Sequence, residues 1–203
     1  MMPILILAAG GSTRMRGADK LLQDVDGVAL LRRQARMALQ VSTDVRIALP
    51  PRPHPRHDVV QDLQVQRVDV ADAAEGMGAS LRTIFATLKA DVPRAMLLLG
   101  DLPDITADDL RAVIDASRAH PLALIWRGAT SGGAGGHPMI FSKALFAEFQ
   151  SLTGDSGGNS IVAKAGNAVH IVPLPGDRAR RDLDTPEDWA AWHAARAARE
   201  DPG

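Results

Sequence analysis

The 203-residue chain is 46% hydrophobic and 23% charged, enough apolar side chain for a buried core and too much for wholesale disorder. Lys and Arg number 23 against 24 Asp and Glu, leaving a formal charge of −1, and the aromatic residues are four Phe, three Trp and no Tyr. That balance excludes a surface built to neutralise nucleic acid or to stack bases, and the absence of cysteine excludes disulfides, thiol nucleophiles and Cys-ligated metals. The apolar run Ile4–Ala9 is too short for an export signal and runs straight into glycines, and no stretch reaches the length of a membrane span. A cytoplasmic protein with no membrane or nucleic-acid partner is the expectation.

In chain order, short apolar runs predict strands over 4–9, 44–49, 65–70, 95–99, 122–126, 139–141 and 169–172. The runs Ile4-Leu5-Ile6-Leu7 and Leu97-Leu98-Leu99 are continuous and not alternating, as in strands covered on both faces of a parallel sheet. Amphipathic spacing predicts helices over 29–40, 79–90 and 106–119, the last opening on Thr106 with Asp108 and Asp109 in its first turn. Strand–helix alternation through the first 120 residues reads as βαβ units, so the fold class is α/β, a three-layer Rossmann-like arrangement with a mostly parallel central sheet. Residues 50–55, rich in proline, read as a surface loop. After about residue 128 glycine patches interrupt the rhythm, with a further helix expected over 142–152 and a final one after Asp184. The chain thus reads as one domain over 1–200, divided into a regular first part (1–127) and a less regular second part (128–200).

The chemistry concentrates where the first strand ends, in Leu7-Ala8-Ala9-Gly10-Gly11-Ser12-Thr13-Arg14-Met15, followed by Lys20-Leu21-Leu22. Gly10 and Gly11 allow a tight turn that brings bare N–H groups to a ligand, Ser12 and Thr13 add hydroxyls, and Arg14 and Lys20 add two cations. The carboxyl edge of parallel strands is where open α/β sheets bind ligands, and a nucleoside triphosphate suits this set. The loop is neither a Walker A sequence nor a dinucleotide fingerprint.

Asp101 follows a hydrophobic strand and Gly100, so its carboxylate is expected at the same ligand edge, in position to hold Mg²⁺ beside a triphosphate. Asp182 and Asp184 alternate on an extended stretch with Leu183 turned inward. Thr185-Pro186-Glu187-Asp188 is helix-start grammar, so Asp184 is the better second metal ligand and Asp182 its alternative. Of the histidines, 54, 57, 120, 170 and 193 show no ligand spacing and are assigned no role.

The loop Leu7-Ala8-Ala9-Gly10-x-Ser12-x-Arg14-Met15 with Lys20-Leu21-Leu22 resembles the signature of the MobA-like nucleotidyltransferases, and within them the molybdenum cofactor cytidylyltransferase branch. Four later segments resemble that branch in the same order: Gly76-Met77-Gly78-Ala79-Ser80-Leu81, Gly100-Asp101-Leu102-Pro103, Gly136-His137-Pro138-Met139-Ile140-Phe141, and Asp182-Leu183-Asp184-Thr185-Pro186-Glu187-Asp188. The resemblance spans residues 3 to 190. It implies a GT-A-type fold, Mg²⁺ on Asp101 and Asp184, and Arg14, Lys20 and Asp101 as catalytic residues. Residues 7–12 (Leu7, Ala8, Ala9, Gly10, Gly11 and Ser12) would cradle the nucleotide, with Ser80 at the base edge. On residues alone Ser80 is equally a helix-capping serine. The same resemblance sets His137, Asp155 and Ser156 on the acceptor side, while His137 on residues alone is equally a surface-loop histidine. Two departures stand out: Arg16-Gly17 follows Met15 where glycine is usual, adding one residue before Lys20, and Asn159-Ser160 replace small residues.

The implied reaction transfers a nucleoside monophosphate, best CMP from CTP, to a phosphorylated acceptor, best the molybdopterin form of the molybdenum cofactor, releasing pyrophosphate. A molybdoenzyme or chaperone partner would receive the product. Two alternatives stay open: a guanylyltransferase or an enzyme using another phosphorylated acceptor such as a sugar phosphate, and a non-enzymatic nucleotide- or cofactor-binding chaperone.

Overall fold

A computed structural model describes residues 1–155 and 157–200. Seven strands form one sheet in the order β5-β4-β1-β6-β8-β7-β9. The central strands β1 (Ile4–Leu7) and β6 (Arg94–Leu99) run parallel to each other in register, and β1 also pairs with β4 (Val45–Leu49), which pairs with β5 (Gln66–Asp69), all parallel. Side chains on both faces of β1 are buried, which is why its apolar run is unbroken. The exception to the parallel rule is β8 (Gly135–Ser142), which lies antiparallel between β6 and β7 (Ile125–Ala129), while β9 (Val169–Pro173) closes the edge parallel to β7.

Two cores cover the sheet. On one face pack α1 (Leu30–Leu39), α4 (Ala107–Ala119) and α7 (Pro186–Glu200) through residues such as Leu31, Leu110, Val113, Trp189 and Trp192. On the other pack α3 (Met77–Ala86), α5 (Phe146–Phe149) and α6 (Asn159–Ala165), with Phe85, Phe149 and Ile161 buried. The expected three-layer α/β arrangement is the one present.

The differences from the sequence reading have local causes. The expected long helix over 142–152 breaks into a 3-10 turn (Lys143–Leu145) and the single turn α5, because Phe149 is held stacked on Phe85, with ring centroids 3.6 Å apart, by a cluster that also takes in Phe141 and Phe146. The strand expected over 122–126 starts later, leaving Leu122 95% exposed in the turn after Pro121. Helix α3 starts at Met77, two residues early, because the chain of residues 153–155 crosses its first turn: Gly78 N–H donates to the Gly154 carbonyl at 2.9 Å. Any side chain at Gly76, whose φ is 120°, would strike Gly154 and Asp155. A two-strand hairpin, β2 (Asp24–Val25) with β3 (Val28–Ala29), and the short α2 (Pro55–Asp58) were not anticipated. Among the described residues no helix is long and apolar enough to cross a membrane.

Candidate functional site

In the order β5-β4-β1-β6, chain progression reverses between β1 and β6, and open α/β sheets bind ligands in the crevice at the carboxyl ends of two such strands. Both key segments emerge there: the glycine loop from β1 and Asp101 from β6. Ala8 N–H still donates to the Ala48 carbonyl at 2.9 Å, and after it the backbone leaves the sheet. Neither Gly10 nor Gly11 has a positive φ; what distinguishes them is space, since a Cβ on Gly10 would meet no atom within 4 Å. The left-handed turn falls instead on Arg16 (φ 51°) and Gly17 (φ 93°), which absorbs the extra residue before Lys20. A cleft of about 480 Å³ opens over Gly10, Gly11, Ser12 and Thr13, with His54, Arg56 and Ala73 opposite, a size suited to a nucleotide-scale ligand.

Arg56, which follows the proline-rich stretch 50–55 and which the sequence reading passed over, organises this cleft. It is 2% exposed, and all five of its N–H donors are engaged. Nε and Nη2 grip the two oxygens of Asp19 at 2.7 and 2.8 Å, Nη1 donates to the carbonyls of Ala8 and Gly10 at 2.7 and 2.8 Å, and Nη2 also donates to Ser12 Oγ at 3.1 Å. The loop's start and end are thereby tied together. Burial would raise the Asp19 carboxyl, but the Arg56 hydrogen bond and charge, with Leu21 N–H and Ser12, hold it below its ordinary value. The Ser12 hydroxyl accepts from Lys20 N–H at 3.1 Å and donates to Asp19 at 3.3 Å, so it is committed within the loop. His54, assigned no role, caps α2 through Nδ1, which accepts from Arg56 N–H at 3.2 Å.

Across the crevice the carboxylates meet. Lys20 Nζ lies 2.5 Å from Asp101 Oδ2 and 2.7 Å from Asp184 Oδ1, so those oxygens are separated by no more than the two bonds laid end to end. Arg14 Nη2 lies 2.6 Å from the other oxygen of Asp184. The sequence reading set Lys20 and Arg14 toward a triphosphate; in the structure both cations rest on the carboxylates. Burial would lower the Lys20 ammonium, but the charges and hydrogen bonds of Asp101 and Asp184 outweigh it and hold its pKa above the ordinary value. Asp101 Oδ1 is buried without a hydrogen-bond partner. Leu183 is buried, as alternation requires, and Asp182 stays beside the pair, its carboxyl raised by burial and by the charges of Asp184 and Asp101. Thr185 and Asp188 cap α7 reciprocally, Asp188 Oδ2 accepting from Thr185 N–H at 2.9 Å, so Asp188 is the helix-start residue expected. The Cα of Gly100 faces strand β1, where a Cβ would stand 3.0 Å from the Leu7 carbonyl.

The remaining predicted positions fall around this centre. Ser80 is the fourth residue of α3 and buried, so it does not cap the helix; Gly76 holds that place. Arg82, two residues further along α3, pairs with Glu75 at 2.6 Å. Asp155 lies against Gly76 at the start of α3, and Ser156 lies outside the described residues. His137 belongs to strand β8 and not to a surface loop, with Nδ1 3.5 Å from the Leu97 carbonyl. Burial pushes its imidazole down to about 4, with Arg127 acting the same way and the Leu97 carbonyl and Asp101 opposing. The folded state therefore refuses a proton that the unfolded chain accepts near its ordinary 6.5, so stability is full above pH 6.5 and falls as the pH drops toward 4. His137→Gln is expected to flatten that acid-side fall, read as the difference between melting temperatures at about pH 7 and about pH 5.

Among the described residues no group of three or more His, Cys, Asp or Glu converges as a metal site. Two carboxylates at the switch point, one with an orphaned oxygen, are what Mg²⁺ needs from protein when phosphates and water complete its shell.

The family model of the MobA-like NTP transferase domain matches residues 4–169. The chain belongs to that family. It is a nucleotidyltransferase. No curated protein sequence matches it. Among solved structures, the MobA-like chain is similar to Rv0371c from Mycobacterium tuberculosis H37Rv at 26% identity, with 95% of this chain and 98% of that one covered and a TM-score of 0.76. A structure of Rv0371c in complex with manganese aligns at 24% identity over 94% and 96% of the two chains with a TM-score of 0.75. CMP:2-keto-3-deoxy-manno-octonic acid synthetase complexed with CTP shares the fold at 16% identity over 98% and 99%, with a TM-score of 0.74. The Asp182–Asp188 segment lies beyond the span matched by the MobA-like model.

Proposed function

We propose that this MobA-like nucleotidyltransferase transfers CMP from CTP to a phosphorylated acceptor, the molybdopterin form of the molybdenum cofactor, with pyrophosphate as the leaving group. The observation that carries the reading is the convergence of Asp101, Asp184, Lys20 and Arg14 beside the open glycine loop. Asp101 and Asp184 would hold a divalent cation, in keeping with the manganese bound to the Rv0371c neighbour. When bound, that cation supplies charge neutralisation and a fixed orientation for the α-phosphate. The chain's residues do the rest. Backbone N–H groups of the Gly10-Gly11 turn, over which space is open, receive phosphate oxygens, and the Arg56 network keeps that turn in one shape. Lys20 and Arg14, within reach of both the carboxylates and the loop, offset charge that builds on the departing pyrophosphate. An acceptor phosphate oxygen attacks the α-phosphorus in line, and no covalent enzyme intermediate is needed. Cytosine is favoured by the branch resemblance and by the CTP-bound synthetase of the same fold.

The test is pyrophosphate release with each of the four NTPs, with Mg²⁺ and purified molybdopterin cofactor. CTP is expected to turn over fastest, and Ser80→Ala to erode the CTP-over-GTP ratio more than the total rate. Faster turnover with GTP overturns the cytidylyl assignment, and turnover only with sugar phosphates overturns the pterin acceptor. Nucleotide binding without turnover on any acceptor supports the chaperone reading instead.

A further inference from the structure

The chain after β4 supplies much of the cleft wall that faces the glycine loop, and that wall carries one polar group with no other use in the fold. Pro50, His54, Ala73 and Ala74 line it, opposite the loop residues Gly10 to Thr13. The short α2 fixes it from behind. His54 is the N-cap of α2, and its Nδ1 accepts from Arg56 N–H at 3.2 Å. Arg56 reaches from the same turn to the Ala8 and Gly10 carbonyls. His57 Nε2 lies 2.8 Å from the Pro50 carbonyl, which can only accept, so that ring nitrogen holds the proton. One helical turn thus anchors the loop, pins Pro50 and orients the His54 imidazole.

The cap also fixes the tautomer of His54. A ring nitrogen that accepts a backbone N–H carries no proton, so the imidazole is neutral with its hydrogen on Nε2. Burial and then the Arg56 charge, with His57 acting the same way and Asp19 opposing, hold its pKa below the ordinary 6.5. Among the described residues Nε2 has no hydrogen-bond partner. The other polar side chains of the lining are engaged elsewhere: Ser12, Asp19 and Arg56 satisfy one another, and Thr13 belongs to the loop on the opposite wall. Proline and alanine make up the rest of the His54 wall, leaving a slot for a flat ring with one fixed donor at its edge.

We infer that His54 reads the nucleobase: its Nε2–H donates to the acceptor edge of a pyrimidine, O2 or N3 of cytosine, when the triphosphate lies on the Gly10-Gly11 turn. The inference rests on the nucleotidyltransferase reading and adds to it a residue that selects the base. Cytosine presents two adjacent acceptors at that edge, whereas uracil presents an N–H at position 3, which a fixed donor opposes. Because the cap holds Nδ1, the ring cannot exchange its tautomer to suit uracil without giving up the Arg56 N–H. A donor held this way discriminates through the group it would leave unpaired in the wrong complex.

The experiment measures, by calorimetry on the full chain with Mg²⁺ and no acceptor, the binding of CTP, of ribose 5-triphosphate, which lacks the base, and of inorganic tripolyphosphate. His54→Asn is the variant, because asparagine is a strong N-cap that still offers Arg56 N–H an acceptor while the Nε2 donor is gone. CTP binding is expected to weaken by about threefold to tenfold, with ribose triphosphate and tripolyphosphate changed by less than about twofold. A second readout needs no variant. In wild type the ¹⁵N shifts of His54 should report the neutral Nε2–H tautomer, and Nε2 should shift on addition of CTP but not of tripolyphosphate. Unchanged CTP affinity in His54→Asn, an equal loss for ribose triphosphate, or an Nε2 signal indifferent to CTP overturns the assignment and leaves the nucleotide reading standing. Binding of none of the three ligands by wild type overturns the nucleotide reading and this inference with it.

Discussion

Asp101→Asn and Asp184→Asn are each expected to lower turnover by about a hundredfold to a thousandfold or more while leaving the melting temperature near wild type. Asparagine keeps the shape but removes the charge that would hold a divalent cation, and a single remaining carboxylate cannot fix both the metal and the α-phosphate. Because the two act as one unit, the double variant should be little worse than either single variant. Lys20, held between both carboxylates at 2.5 and 2.7 Å, would keep one partner in each single variant, so the local fold has a reason to persist. Asp188→Asn is the control: Asp188 accepts from the N–H groups of Asp184 at 3.2 Å and Thr185 at 2.9 Å, contacts an asparagine oxygen can keep, so activity should stay close to wild type. Pyrophosphate release measured beside thermal melts reads both quantities. Equal, modest losses in all three variants would overturn the paired-ligand assignment.

Arg56→Met is expected to produce the largest loss of stability. The substitution leaves the Asp19 carboxylate without its bidentate partner and the Ala8 and Gly10 carbonyls without a donor in a region where Arg56 itself is 2% exposed. Removing one member of such a pair costs about 3–5 kcal/mol, or roughly 10 °C in a domain of this size. Arg56→Lys should rescue little, since an ammonium offers three donors from one point where five are in use. The pH dependence gives an independent check. Asp19 is held below its ordinary 3.8 in the folded state, so its contribution is complete above that value and is lost as the pH falls through the lowered one. The gap in melting temperature between wild type and Arg56→Met should therefore narrow in strong acid. Any variant protein that remains folded at neutral pH should show a raised KM for the nucleoside triphosphate, because the loop it binds is no longer tied at both ends. A KM equal to wild type would overturn the link between this network and the nucleotide cleft.

The sequence by itself determined what depends on neighbours a few residues away. Continuous apolar runs marked β1 and β6 as doubly covered strands, and both are. The Thr106–Asp109 and Thr185–Asp188 pairs marked helix starts, and both cap reciprocally within three residues. The glycine loop, Asp101 and Asp184 were legible because each sits at the end of a recognisable element, and the family resemblance joined them. Tertiary structure alone decided what those residues touch. Lys20 bridges carboxylates 81 and 164 positions away, so its partners were invisible to any local pattern, and only the folded chain shows it resting on them. Arg56 reads in sequence as one more cation among prolines; its partners lie 37 to 48 positions back, and burial makes it the loop's tie. The antiparallel entry of β8 between β6 and β7 likewise depends on pairing between distant strands, and that entry is what brings His137 against the Leu97 carbonyl of β6.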